Sequence, residues 1–86
     1  MHRLLFAPKA RRAFLEFQPQ DMLRIKAALD RLQEDLRMPG VVRLREMRVA
    51  QYRYRVGDFR LLFDINDREQ SVVLLDIRRR NERTYR

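Results

Sequence analysis

Cysteine and tryptophan are absent from this 86-residue chain, and histidine occurs once, as His2. Without cysteine there is no disulfide framework and no thiolate metal site. A lone histidine excludes catalysis by a histidine pair and a histidine metal cluster, and His2 reads as an ordinary strand residue. Glycine is limited to Gly40 and Gly57, so neither a glycine-rich phosphate loop nor a nucleophile elbow is present. No apolar run approaches the ~20 residues of a membrane span. The opening MHRLLFAPKARRAF holds a short apolar run cut by Pro8 and followed by Lys9, Arg11 and Arg12. It is too short for a secretory signal and lacks a small-residue cleavage site. The expectation is a soluble, cytoplasmic protein without a membrane partner.

Lysine is almost missing as well. It appears only at Lys9 and Lys26; the other eighteen basic residues are arginines, against twelve acids, for a net charge of +8. Arginine's planar fork suits phosphate and carboxylate, whereas lysine suffices for a merely soluble surface. A phosphate-facing surface or a GC-rich genome would each give this bias. The charge is uneven: +3 over residues 1–40, +4 over 43–60, −3 over 61–77 and +4 over 78–86. Two basic patches in the C-terminal half fit a polyanion-facing surface. At 45% hydrophobic residues the chain is globular, and its length allows one domain, 1–86, with a thin core.

The periodicity gives an element order. Residues 2–6 read as a short strand. Pro8 opens a short helix whose apolar face is Ala10, Phe14 and Phe17, ending near Pro19. Met22, Ile25, Leu29, Leu32 and Leu36 continue at alternating spacings of three and four until Met38-Pro39-Gly40, a second helix packing the same core. After Gly40 the period becomes two. Tyr52, Tyr54 and Val56 alternate with Arg53 and Arg55, Gly57-Asp58 makes a two-residue turn, and Phe59, Leu61, Phe63 and Ile65 alternate with Arg60, Leu62 and Asp64. Residues 66–70 form a polar loop, and Ser71 to Ile77 a last strand. The expected fold is α+β, in the order β-α-α-β-β-β, with a helical hairpin on one face of an antiparallel sheet.

The turn sets a register. With Gly57-Asp58 at its tip, Val56 faces Phe59, Arg55 faces Arg60 and Arg53 faces Leu62. Residues two apart share a face, so Arg53, Arg55 and Arg60 lie together. Like charges directly opposite destabilise a sheet, and a fold tolerates them where water or an anion reaches the site. A solvated outer face, or an Arg60–Asp76 pair across the next strand, would account for one of these arginines but not for three and a basic tail. Arg78 and Arg80 alternate onto one side and could close on the same face, with Arg79 and Arg83 nearby. Tyr85 follows, where positive neighbours favour the phenolate. Asp64, Asp67, Glu69 and Asp76 could suggest a magnesium site, but three of them cluster at a hairpin and read as a soluble turn. No cofactor or metal is expected.

The segments QYRYRVGDFRLLFDI and SVVLLDIRRRNERTY resemble the RelE/ParE toxin superfamily, and RLLFAPKARRAFLEFQP with the helix after it matches the superfamily's element order. The resemblance spans nearly the whole chain and implies a toxin of a type II toxin–antitoxin system. For a RelE-like member it implies a metal-independent mRNA endoribonuclease (mRNA interferase) working in the ribosomal A site. There the 2′-hydroxyl attacks the adjacent phosphate and leaves a 2′,3′-cyclic end. On that reading Arg60 is the strand arginine that steadies the charged transition state, Arg80 the second catalytic arginine with Arg79 close behind, and Tyr85 the C-terminal tyrosine. Arg53 and Arg55 match the basic pair of the preceding strand, and with Arg78, Arg79 and Arg83 they would bind RNA. Lysines common at this face in other members are arginines here, which leaves Tyr85 or Arg55-assisted solvent as the general base.

The implied partners are an acidic antitoxin, in a toxin–antitoxin hetero-oligomer, and a ribosome with mRNA in its A site. Two other readings share the fold: a ParE-like poison of DNA gyrase without RNase activity, and an inert basic protein-binding module.

Overall fold

Each helix begins at a proline, where the missing N–H would have had no partner in any case. The computed structural model describes residues 1–45 and 49–79. In it α1 spans Pro8–Leu15 and α2 spans Pro19–Glu34. The spacing of apolar residues along α2 puts Ile25, Ala28, Leu29 and Leu32 on one buried stripe, joined by Ala10 from α1. Both helices stop about half a turn before the apolar pattern does. Phe17 lies past the end of α1, yet its ring centroid is 4.8 Å from that of Phe59. Leu36 lies past α2 and still packs on the core. Tertiary burial, not helical continuation, holds both.

Five strands form one sheet among the described residues: β1 Arg3–Phe6, β2 Val42–Arg43, β3 Tyr52–Val56, β4 Phe59–Asn66 and β5 Ser71–Arg79, in the spatial order β1-β5-β4-β3-β2. This is the expected α+β arrangement, with two differences. A short strand, β2, joins antiparallel to β3, and β1 pairs with β5 in parallel, so the sheet is mixed. Hairpins force β3, β4 and β5 to alternate in direction. The link from β1 runs through both helices and imposes no such constraint.

The β3–β4 register is the one that the turn implies: Arg53 opposite Leu62, Arg55 opposite Arg60, Val56 opposite Phe59. Gly57 has φ +55°, a left-handed value that favours glycine. Beyond the turn, Gln51 and Asp64 clasp the two chains. The Gln51 N–H donates to Asp64 Oδ1 at 2.7 Å, and the Ile65 N–H donates to Gln51 Oε1 at 3.1 Å.

The pairing of β4 with β5 contains an irregularity that positions the site. Phe63 faces Leu74, but the next residue back, Leu62, faces Asp76. Leu75 is therefore an extra residue, a β-bulge, and it reverses the alternation of β5. Val72 and Leu74 before it are buried with the helices, and after it Ile77 takes the core side. Asp76 and Arg78 are turned to the opposite, outer face. The helix-side core then consists of Phe59, Leu61, Phe63, Val72, Leu74 and Ile77 against the α2 stripe.

Candidate nucleic-acid interface

Alternation and the bulge together write a grid on the outer face. One row, read across β3, β4 and β5, is Arg55, Arg60 and Arg78, each the register partner of the next. The row beside it is Arg53, Leu62 and Asp76. Directly opposed residues on one face hold their Cβ atoms about 5 Å apart, so three arginines stand side by side on one line across the sheet. Sheet stability alone does not select such a row, because each opposition of like charges costs free energy.

The face is not simply bathed in solvent. Leu62 points outward yet is only 6% exposed. Beside it lies a depression of about 230 Å³. Arg45, Arg53, Arg60 and Arg78 line it, with Leu44, Val49 and Leu62 as apolar wall. Arg60 is half-buried, and its Nε is covered without a hydrogen-bond partner among the described residues. A guanidinium carries five donors that demand acceptors, and a phosphate oxygen entering the depression would supply them.

Asp76 is the acid of the second row. The Arg78 Nε donates to its Oδ2 at 2.9 Å, Lys9 Nζ lies 3.3 Å from the same oxygen, and the Ile77 N–H donates to Oδ1 at 2.9 Å. Burial pushes this carboxyl up. The Arg78 hydrogen bond outweighs it together with the bond and charge of Lys9 and the Ile77 N–H, and these hold the group below the usual carboxylate value. The alternative Arg60–Asp76 pair does not form: Asp76 stands opposite Leu62 and takes its cations from Arg78 and Lys9.

The structure thus brings Arg53, Arg55, Arg60 and Arg78 to one face. It sends Arg79 to the other. Arg79 is the register partner of Phe59, its guanidinium lies 5.0 Å from the Phe59 ring centroid, and its Nη2 is 3.4 Å from Asp21 Oδ2 on α2. This corrects the expectation that Arg79 stands with the RNA-facing arginines; alternation after Arg78 turns it toward the helices. Arg80, Arg83 and Tyr85 lie outside the described residues. The acidic hairpin has structural uses: Asp64 accepts from Gln51, and the Asn66 side chain accepts from the Glu69 N–H at 3.1 Å. Leu44, Arg45 and Val49 were not singled out from the sequence. The outward-pointing Leu62 was the available signal, since an apolar residue in an otherwise charged row implies something that covers it.

A family model described as ParE toxin of type II toxin–antitoxin system, parDE, matches residues 4–84. The chain belongs to this family. No curated protein matches it. Among solved structures, this ParE-family toxin is similar to one in the RelBE2 toxin–antitoxin complex from Mycobacterium tuberculosis, with 25% identity, a TM-score of 0.78, and coverage of 92% of this chain and 98% of that one. It is similar in fold to a chain of the intact E. coli RelBE complex, at 18% identity and TM-score 0.80 over 95% of this chain and 100% of that one. The isolated E. coli RelE toxin gives 19% identity and TM-score 0.80, covering 99% of this chain and 93% of the other. The toxin is therefore a type II toxin–antitoxin toxin of the RelE/ParE superfamily.

Proposed function

We propose that this toxin is a metal-independent endoribonuclease that cuts messenger RNA in the ribosomal A site, in the cytoplasm, and is neutralised by an acidic antitoxin. The observation that carries the reading is the arginine row with its depression. Arg55, Arg60 and Arg78 are opposed across three strands, and Arg60 is half-buried where a phosphate would meet it. In-line attack of a 2′-hydroxyl on the adjacent phosphate builds negative charge on the non-bridging oxygens. Fixed cations aimed at that charge lower the barrier, by roughly 3 kcal/mol for one well-placed donor. Arginine stays protonated at neutral pH, so these residues stabilise charge and do not abstract the proton. Arg60 is the residue assigned to the transition state, Arg78 stands beside it in the depression, and Arg53 and Arg55 grip the flanking backbone. Arg80 and Tyr85 complete the proposed set, with Tyr85 or Arg55-assisted solvent as base. A face that supplies charge but little shape needs its substrate oriented from elsewhere, which fits a ribosome-held message.

The antitoxin proposal is supported by the net charge of +8 and by the likeness to toxins solved in toxin–antitoxin complexes. A second reading, a gyrase poison, is favoured by one observation: the matching family is described by its ParE members.

The test is primer extension on a reporter mRNA after brief induction, wild type beside Arg60→Ala, with and without translation initiation on that message. Translation-dependent cuts in the wild type alone support the nuclease. Growth arrest without cuts, with trapped gyrase–DNA cleavage complexes, replaces it by the second reading.

A further inference from the structure

Asp76 is 5% exposed in the row beside Arg55, Arg60 and Arg78. A carboxylate is buried only at a cost, unless it is paired and hydrogen-bonded. Its partners show what it does. Arg78 reaches it through Nε at 2.9 Å, which fixes the plane of the guanidinium and leaves both Nη groups to donate elsewhere. Arg78 lines the same depression as Arg60, its register partner. Without a tether, two opposed arginines on neighbouring strands would swing apart. Lys9, from the first turn of α1, adds a second cation to the same carboxylate oxygen. The Lys9–Asp76–Arg78 group therefore remains net positive, and the acid does not neutralise the face. The bulge at Leu75 makes this possible, because without it Asp76 and Arg78 would face the helices.

We propose that Asp76 is a positioning residue that presets Arg78 as the second jaw of a two-arginine clamp, with Arg60, for one phosphate group of the RNA backbone. The inference rests on the nuclease reading for its substrate, but the clamp itself can be read without turnover.

The experiment uses the full chain with ribosomes programmed with a message. Asp76→Asn lowers the single-turnover cleavage rate by about tenfold to a hundredfold, as displacing one aligned group does. Arg78→Ala loses at least as much. The double variant is no slower than Arg78→Ala, because Asp76 acts only through Arg78. Lys9→Ala, which removes an ion pair of Asp76 but not the Arg78 contact, cleaves like the wild type. Independent additive losses would overturn the proposal. So would an Asp76→Asn variant that cleaves normally while Arg60→Ala does not, or a Lys9→Ala variant as slow as Asp76→Asn; each leaves the nuclease reading intact.

Inorganic pyrophosphate then probes the clamp directly, through the Nε–Hε resonances of Arg60 and Arg78. Both shift on titration in the wild type, and the Arg78 response weakens in Asp76→Asn. That result without any cleavage on ribosomes rejects the nuclease reading and retains the clamp. A wild type whose Arg78 resonance ignores pyrophosphate overturns the clamp.

Discussion

Arg79 lays its guanidinium over the ring of Phe59, 5.0 Å from the centroid, while its neighbour Arg78 points through the opposite face of the sheet. Two adjacent arginines thus have different tasks. Arg79, tied also to Asp21, closes the end of the sheet against α2. Its side chain is largely exposed, so the stacking and ion-pair contributions are modest, together about 1 kcal/mol. Arg79→Ala lowers stability by that amount in urea unfolding and reduces cleavage less than Arg78→Ala does. Equal losses of cleavage would mean that Arg79 leaves the helix side when RNA binds.

The arginine row stores repulsion. Replacing Arg60 by an uncharged side chain of similar length removes two like-charge oppositions, with Arg55 and with Arg78, each worth a fraction of a kcal/mol. Arg60→Met therefore raises the melting temperature while abolishing killing, the trade expected where a site is built at the expense of stability. Added salt screens the same repulsion, so the melting temperature of the wild type rises more between low and physiological ionic strength than that of Arg60→Met. A destabilised Arg60→Met would contradict the idea that the row is strained.

Much of this was readable in the chain. The Gly57-Asp58 turn set the β3–β4 register, and the period-two pattern placed Arg53, Arg55 and Arg60 on one side. The β5 side of the site was harder to read. Alternation predicts the relative faces of Arg78, Arg79 and Arg80, but not which face meets Arg60, because one extra residue inverts the answer. Nothing in SVVLLDI marks Leu75 as that residue, since Leu74 and Leu75 are chemically identical. The choice is made by packing: the bulge buries Ile77 beside Leu61 and frees Asp76 to meet Lys9. The parallel pairing of β1 and the gathering of Leu44, Val49 and Leu62 around one depression likewise depend on long-range contacts that no local period encodes.

The turn itself can be tested. Gly57 has φ +55°, and a Cβ added there would come within 2.8 Å of Arg24 Nη1. The arginine tip can move aside, so the cost lies mainly in the backbone. Gly57→Ala destabilises by about 1–2 kcal/mol, measured by denaturant unfolding, and Arg24→Ala does not rescue it. Full rescue would show that the clash, not the left-handed backbone, is what the glycine avoids.

Acid should loosen the site before it unfolds the rest of the chain. The Asp76 carboxyl is held below its ordinary value by Arg78 and Lys9, which together overcome the effect of burial. The native state therefore releases this proton more readily than the unfolded chain does. The stabilisation is fully present above the unfolded carboxylate value, ~4, and is lost as the pH falls from there through the lowered native value. Asp76→Asn cannot lose what it lacks. Melting temperatures of the two proteins differ by a constant amount from pH 7 down to about pH 5, and the gap narrows below that as the wild type alone gives up the contribution of Asp76. In the same acidic range the Arg78 Nε–Hε resonance of the wild type loses its protection from exchange, because a protonated Asp76 no longer holds it. A gap that stays constant to pH 3 would mean that Asp76 contributes no more to the folded state as an anion than as an acid, and that Arg78 is held by something else.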